Sequence, residues 1–421
     1  MDAQRKRKTL STVLIDLVIL CEYYFFYVIP FPETVQKFVT YKNKSGLLIL
    51  IFLAYIVIRF FDNNAQRIGL FSVYVASFTC LAIVSAVYCI THYSFSKNEL
   101  LVPFVAYISI LWFVPLTLYL RQHLGHFILV LTSVNLIAGI ILIFQGIYFL
   151  FRKNVFLHIY ELYQSGLIPV RNGQLRITYL GTVISLSCVI SIGILFNHET
   201  RNQFLHVSNI LVSFVYFVFV SQTRMYIVCL LLVMAVQFVK KNMKLTAKNL
   251  LLLYGFIIAI VLLYFLIIRG YISSIIAPLI DGSYQTNGSY YARMDAITYF
   301  INIIKSHLTF GLGILDPGAY TNNYTIFHGP TGFAMMTDVG LLGSVARMGI
   351  PILVWYVLLL IKLYRLQRTA KNYVLSSLFY FILFSSFSLI VLDPQRIFFL
   401  SSSLAIFNQL VTQRREVDTN E

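Results

Sequence analysis

The sequence predicts an all-α membrane protein, a polytopic bundle of about 12 transmembrane helices with one long outer loop that contains a short amphipathic helix. Two observations support this prediction. Hydrophobic residues make up 59% of the 421 positions and charged residues only 11%, whereas soluble domains carry about 25% charged residues. The apolar residues also form blocks, such as 10–29, 68–90, 127–151 and 249–268, that reach the ~20 residues a spanning helix needs.

The spans are expected to follow one another within a single membrane domain, 1–421. They are predicted at 10–29, 46–61, 68–90, 101–120, 127–151, 177–196, 205–221, 226–239, 249–268, 340–361, 373–392 and 397–412. The N-terminal run RKRK leads into a full-length span without a small-residue cleavage site. A cleaved signal peptide is therefore not expected.

The distribution of Lys and Arg predicts the orientation of the chain. Basic residues cluster before the first span, in 240–249, in the segment that follows 361, and at 414–415. These four clusters lie on one side of the membrane only if an even number of spans separates them. Because basic loops favour the cytoplasm, both termini are expected there.

One long segment, 269–339, is then expected on the outer face. It is too weakly charged and too varied to be typical of disorder, and loops of this length in compact domains are usually functional. Within it, 289–306 has apolar residues at helical spacing. This pattern predicts an amphipathic helix that lies along the membrane surface.

The outer face is unusually basic for a membrane protein, which favours an anionic partner. Arginine binds phosphate well because its planar guanidinium donates two hydrogen bonds at once. The alternative is that these side chains extend to lipid headgroups. Four arginines at span ends or within apolar sequence are the candidates: Arg176, Arg224, Arg347 and Arg396.

Other polar residues within the apolar blocks have simpler interpretations. Asp16 or Glu22 could neutralise a basic partner inside the bundle, and the alternative is a functional role. All five cysteines fall in apolar blocks, so we expect buried free thiols rather than disulfides or a metal site.

The sequence contains no residue spacing that is typical of a metal centre. The run Gly311-Leu312-Gly313 also lacks the third glycine of a dinucleotide-binding motif. For these glycines we expect a close packing contact or a sharp turn.

His328 is a candidate general base in the outer loop. Its imidazole suits the removal of a proton from a hydroxyl near neutral pH. Asp338 could orient it, act as the base itself, or cap a helix. The alternative for His328 is a loop histidine that is hydrogen-bonded to the backbone.

The order of these motifs resembles that of a known family. Ser221-Gln222-Thr223-Arg224 precedes a span, Arg293 opens a helix that leads to Gly311-Leu312-Gly313, and His328 is followed by the run from Asp338 to Gly343. This resembles the Wzy-like O-antigen and capsular polysaccharide polymerase family, within the O-antigen ligase superfamily. The family pattern is Ser-x-Ser-Arg, then Arg and Gly-x-Gly, then His-Asn and a Glu-led glycine run. Thr223, Gly329 and Asp338 depart from it.

The resemblance implies a glycosyltransferase that joins undecaprenyl-pyrophosphate-linked oligosaccharide repeat units at the outer face of the bacterial cytoplasmic membrane. No cofactor, metal, nucleotide or nucleic acid is expected, and a flippase and a chain-length regulator are further partners. The implied pyrophosphate ligands are Arg176, Arg224, Arg293 and Arg347, and the implied catalytic residues are His328 and Asp338. An O-antigen ligase activity remains open. So does a lipid-linked oligosaccharide flippase, against which the long outer loop counts.

Overall fold

The computed structural model describes residues 2–28, 44–60, 69–93, 97–157, 168–171, 173–197, 202–241, 288–314, 328–329, 332 and 334–420. This part of the chain is predominantly α-helical. Its helices are α1 Asp2–Glu22, α2 Phe25–Val28, α3 Lys44–Phe60, α4 Ser72–Tyr93, α5 Lys97–Ile108, α6 Phe113–Arg152, α7 Gly181–Phe196, α8 Gln203–Val215, α9 Arg224–Lys240, α10 Gly288–Ser306, α11 Leu341–Met348, α12 Ile350–Ala370, α13 Tyr373–Ser385 and α14 Ile397–Asn420. Two strands, β1 Val170–Arg171 and β2 Gln174–Leu175, form an antiparallel hairpin.

Four of the described helical stretches are long and apolar enough to cross a membrane. They are Ser72–His92, Pro103–Arg152, Gln203–Ser221 and Ile350–Ala370. Shorter apolar helices cover Gly46–Ile58, Gly181–Phe196 and Tyr373–Ser385. The helical membrane character predicted from composition is thus present, whereas the count of twelve spans stays a prediction. The ninth predicted span, 249–268, lies outside the described residues, as do 269–287 and 315–327.

The stretch Pro103–Arg152 is too long for one straight crossing. Its 50 residues would extend about 75 Å at 1.5 Å per residue, more than twice the ~30 Å hydrocarbon core. His123 has non-helical dihedral angles (φ −129°, ψ 25°) within α6. This break falls between the predicted spans 101–120 and 127–151, so a bend rather than a loop joins them.

The predicted tenth span, 340–361, is wrong in its bounds. The chain forms the short helix α11, breaks at Gly349 with φ 74°, and only then enters α12, which continues to Ala370. The break is fixed by tertiary contacts, since Ile350 N donates to Leu308 O at 2.8 Å. The apolar composition of 341–348 gives no sign of this contact.

Hydrogen bonds between helix ends place those ends in two groups, one at each end of the bundle. This is expected for helices that run alternately up and down. At one end, which we call the arginine end, hydrogen bonds join Arg176 to Ser221, Leu341 to Ser386, and Arg396 to Tyr226. At the opposite end, hydrogen bonds join Lys240 to Gln367 and Ser376, Asn197 to Tyr373, and Arg414 to Ala370. The arginine end contains the sequence motifs singled out above.

A buried polar cluster ties α6, α7 and α8 together. Asn209 donates to Ser187 Oγ at 3.0 Å and to Ser191 Oγ at 2.9 Å, and its own amide oxygen accepts from Asn135. Asn135 Oδ1 in turn accepts from the Tyr23 hydroxyl at 3.0 Å. All these side chains are buried. Lipid tails are as apolar as the helices, so the hydrophobic effect does not drive helices together within a membrane. Interhelical hydrogen bonds such as these stabilise their association instead.

The acidic residues of the first span are paired. Glu22 contacts Lys44 at 2.9 Å, and Asp16 contacts His126 at 3.2 Å. The contact with Lys44 confirms the expectation for Glu22, whereas the contact of Asp16 with His126 neutralises the carboxylate only when the imidazole is protonated. The expectation for the cysteines is wrong at one position: all five are free and four are buried, but Cys80 is exposed. It lies on an outward face of α4, where lipid would cover it.

Replacing Asn209 by alanine should destabilise the bundle. The change removes the buried hydrogen bonds that Asn209 makes with Asn135, Ser187 and Ser191, which should lower the free energy of unfolding by about 1–2 kcal/mol. The measurement is the melting temperature of the purified protein in detergent. Asn302→Ala, on an exposed face of α10, is the matched control. Equal melting temperatures for the two variants would show that the polar cluster does not hold the helices.

Candidate functional site

The site is organised by the turn between α8 and α9. The helix continues from α8 as a π-helix over Tyr216–Ser221, and Gln222 then adopts a left-handed conformation with φ 52° and ψ 30°. The helix α9 begins at Arg224, two residues later. π-Helical turns and left-handed non-glycine residues are uncommon, and both cluster at functional sites.

The β-hairpin fixes Arg176 against this turn. Arg176 Nε donates to the carbonyl oxygen of Ser221 at 3.2 Å, and Gln222 Nε2 donates to Gln174 Oε1 at the same distance. Arg176 is half-buried and Arg224 is exposed. Two of the predicted phosphate ligands therefore flank one short turn.

Arg396 is the residue whose importance the motifs missed. Its Nη1 lies 3.3 Å from Asp393 Oδ2, and its Nε donates to the Tyr226 hydroxyl at 3.4 Å. The side chain of Arg396 is 13% exposed and that of Asp393 only 4%. The basic outer face had singled out Arg396, but no motif gave it a role: Asp393 is only three residues away, whereas Tyr226 is distant in the sequence.

The charge of Arg396 is secured by its neighbours. Burial acts to lower the pKa of the guanidinium, while Tyr226 and Asp393 act to raise it. The more distant carboxylate of Asp338 raises it further. The net pKa lies above the ordinary value for arginine, so Arg396 stays positively charged despite its burial.

Arg347 joins the same end of the bundle from the other side. It is buried, with 5% exposure, and its Nη1 donates to the Tyr107 hydroxyl at 2.6 Å. Tyr107 lies within electrostatic range of Asp393 as well as of Arg347. Asp393 is thus a buried carboxylate that pairs with Arg396 and lies near Tyr107, the hydrogen-bond partner of Arg347.

Asp338 is positioned by a glycine. It ends a 3-10 turn, Met336–Asp338, and its side chain is exposed. Gly340, with φ 55°, packs against the carbonyl oxygen of Ser386, where a β-carbon would clash. The adjacent Leu341 N donates to this same oxygen at 2.8 Å. These contacts hold Asp338 next to the loop that carries Asp393 and Arg396.

Arg293 and His328 belong to an adjoining unit built on α10, which covers the predicted amphipathic helix. The buried Phe300 packs in a small apolar cluster with Ala334, whose N–H donates to the carbonyl of His328 at 2.9 Å. His328 is buried. Arg293 is exposed and, within the described part of the chain, makes no ion pair with the other candidates.

The glycine pair at Gly311 and Gly313 makes a close backbone contact, as expected. Leu312 N donates to Ala346 O and Gly313 N to Arg347 O, both at 2.7 Å. Gly311 has φ 63°, and a β-carbon there would lie 2.5 Å from Ala346 O. The pair therefore anchors the end of α10 on the helix that carries Arg347.

Tyr226 lies at the centre of the arginine end. It bonds to Arg396, stacks on Phe217 with ring centroids 4.7 Å apart, and packs against Gly181 at the start of α7. The first residues of α7, α9 and α14 therefore meet around one ring. Helix N-termini carry partial positive charge and attract anions.

The contacts at the arginine end gather more positive than negative charge. Four arginines and two carboxylates belong to the elements of this end: Arg176, Arg224, Arg347, Arg396, Asp338 and Asp393. Lys153, which donates to Gly173 O of the hairpin at 3.2 Å, and Arg171 of β1 add further positive charge. Among the described residues no group of three or more His, Cys, Asp or Glu could hold a metal ion. The arrangement is suited to binding an anion.

Comparison of the sequence with protein-family models and with curated proteins finds no match.

The Asp393–Arg396 pair should show strong energetic coupling. Asp393→Ala leaves a largely buried guanidinium without its nearest counter-charge and should cost about 2–4 kcal/mol. Adding Arg396→Met removes the stranded charge, so the double variant should be more stable than the sum of the two single effects implies. Melting temperatures of the three variants in detergent give the coupling. Additive effects would contradict a pairing role for Asp393, and Arg365→Met on an exposed face of α12 is the control for loss of an arginine.

Proposed function

We propose that the protein is a polysaccharide polymerase that joins oligosaccharide repeat units carried on undecaprenyl pyrophosphate. The product is a surface polysaccharide such as a capsule, an exopolysaccharide or O-antigen. The chain crosses the bacterial cytoplasmic membrane twelve times, with both termini in the cytoplasm. The arginine end then faces outward, where lipid-linked repeat units are presented.

The observation that carries the proposal is the excess of positive charge at the arginine end. A diphosphate esterified to both a lipid and a sugar carries two negative charges, which a surplus of basic over acidic groups would attract. The meeting N-termini of α7, α9 and α14 add favourable partial charges. An outer end of a membrane bundle also allows the lipid chain to remain in the bilayer while its head group binds.

In the proposed reaction, a hydroxyl of the acceptor glycan attacks the anomeric carbon of the donor sugar. A new glycosidic bond forms as the bond between that carbon and the diphosphate oxygen breaks, so that undecaprenyl pyrophosphate leaves. Negative charge grows on the departing oxygen, and the guanidiniums stabilise it more strongly in the transition state than in the bound substrate. The leaving group provides the activation, and no nucleotide enters the scheme.

The proton of the attacking hydroxyl needs an acceptor. Asp338 is exposed and acts electrostatically on Arg396, so it can reach substrate at the edge of the phosphate site. His328 is buried beside α10 and is the second candidate. We assign the base to Asp338, with His328 shaping the outer loop. A flippase that supplies repeat units and a regulator of chain length are the proposed protein partners.

Arg224→Ala should abolish polymer formation without loss of the protein from the membrane. The exposed Arg224 is the arginine most open to the diphosphate, and loss of such a charge contact costs about 10²–10³ in rate. The assay is complementation of a strain lacking the gene, with glycan resolved as a chain-length ladder. Arg293→Ala is expected to behave alike, and Arg368→Ala at the opposite end is the control.

The same assay separates polymerase from ligase activity. Loss of a polymerase leaves single repeat units, whereas loss of a ligase leaves full-length chains stranded on the lipid. Full-length, correctly transferred glycan in both the Arg224 and Arg293 variants would refute the proposed pyrophosphate site.

A further inference from the structure

We infer that Gln222 forms a subsite for a neutral hydrogen-bond donor, a hydroxyl or amide N–H, on the sugar that is joined directly to the diphosphate. This inference rests on the proposed function, because the arginines beside Gln222 are what would hold the diphosphate there. It deepens that proposal by assigning recognition of the glycan, as distinct from its phosphates.

The first observation is an unsatisfied amide. Gln222 is 7% exposed, and its Nε2 donates to Gln174 Oε1 at 3.2 Å. Its Oε1 is buried and accepts no hydrogen bond in the described structure. An unsatisfied buried acceptor costs about 1–3 kcal/mol. A role confined to tethering the hairpin would use only the nitrogen and leave this cost unexplained.

The second observation is the position of this amide. Gln222 lies directly after Ser221, whose carbonyl oxygen accepts from Arg176, and two residues before Arg224. The anomeric carbon of the donor sugar is bonded to a diphosphate oxygen. A diphosphate held by these two arginines therefore brings the first sugar, with its hydroxyl groups, to the same turn.

The third observation is the backbone conformation. Gln222 adopts φ 52° in a left-handed turn, at the end of a π-helix, which a residue with a β-carbon adopts at a cost of about 1–2 kcal/mol. Strained residues of this kind persist where the conformation serves ligand binding. Here the strain directs the amide beneath the hairpin rather than along the surface of α9.

The cover over the amide is thin. Gln174 is half-buried, and β1 is exposed at both Val170 and Arg171. The hairpin is anchored to the turn by Ile177 N, which donates to Val220 O at 3.1 Å, and by Arg176 Nε, which donates to Ser221 O at 3.2 Å. Rotation of the Gln174 side chain would break its hydrogen bond to Gln222 and leave both of these contacts in place.

Binding to the purified full-length protein in lipid nanodiscs tests this inference. The two probes are undecaprenyl pyrophosphate without sugar, and the lipid-linked repeat unit extracted from cells that lack the gene. Gln222→Met removes the acceptor at similar size. Gln222→Glu keeps an acceptor, to which the Gln174 amide can still donate. Gln174→Met breaks the hairpin hydrogen bond alone and controls for an indirect effect.

We expect Gln222→Met to weaken binding of the lipid-linked repeat unit about five- to twentyfold, which corresponds to one hydrogen bond. It should leave binding of the sugar-free lipid within about twofold. Gln174→Met should bind the repeat unit much more tightly than Gln222→Met, whereas Gln222→Glu, whose added negative charge opposes the diphosphate, should weaken binding of both probes.

Three results would overturn the inference. Gln222→Met could bind both probes as the wild type does, could lose both equally, or could be matched by Gln174→Met. Each of these leaves the proposed function standing, provided that Arg224→Ala weakens binding of the sugar-free lipid. If Arg224→Ala bound that lipid as the wild type does, the proposed function itself would fail, whatever the behaviour of Gln222.

Discussion

The structure depends on one constraint. The largely buried guanidiniums of Arg347 and Arg396, at one end of an apolar helix bundle, must be neutralised. A charge removed from water is costly unless a partner lies close to it. Asp393 provides that partner to Arg396 at 3.3 Å, and the Tyr107 hydroxyl accepts a hydrogen bond from Arg347 at 2.6 Å. The basic groups at this end of the bundle outnumber the carboxylates, so an anionic ligand can complete the neutralisation.

The same interactions place the rest of the site. Arg396 bonds to Tyr226, and Tyr226 packs on the start of α7, so the helices that begin at this end are held around one aromatic ring. The turn at Ser221 receives Arg176 from the hairpin. The positions of the exposed groups, Arg224 and Asp338, follow from this buried framework, which links stability to the electrostatics of the proposed reaction.

The helices could be predicted from the sequence because the length and apolarity of each hydrophobic block reflect burial in lipid. The segments 46–61 and 205–221 correspond closely to α3 and to α8 with its π-helical continuation. The break at Gly349 was missed although Gly349 and Pro351 are typical of a helix boundary; the hydrogen bond from Ile350 N to Leu308 O, which holds the break, could not be predicted. The site was only partly predictable: Arg224 stands in a local motif and Asp393 lies three residues before Arg396, whereas the contact of Arg396 with Tyr226 joins residues 170 positions apart.

The most direct test of the central claim asks whether the arginine end faces away from the cytoplasm. In a chain whose five cysteines are replaced by serine, single cysteines are introduced at Arg224 and at Arg368, which is on the opposite end. Spheroplasts are then treated with a membrane-impermeant maleimide. The account predicts labelling of the Arg224→Cys variant in intact spheroplasts and of the Arg368→Cys variant only after the membrane is permeabilised. The reverse pattern would contradict it, because the guanidiniums would then face a compartment in which the proposed lipid-linked acceptor is not presented.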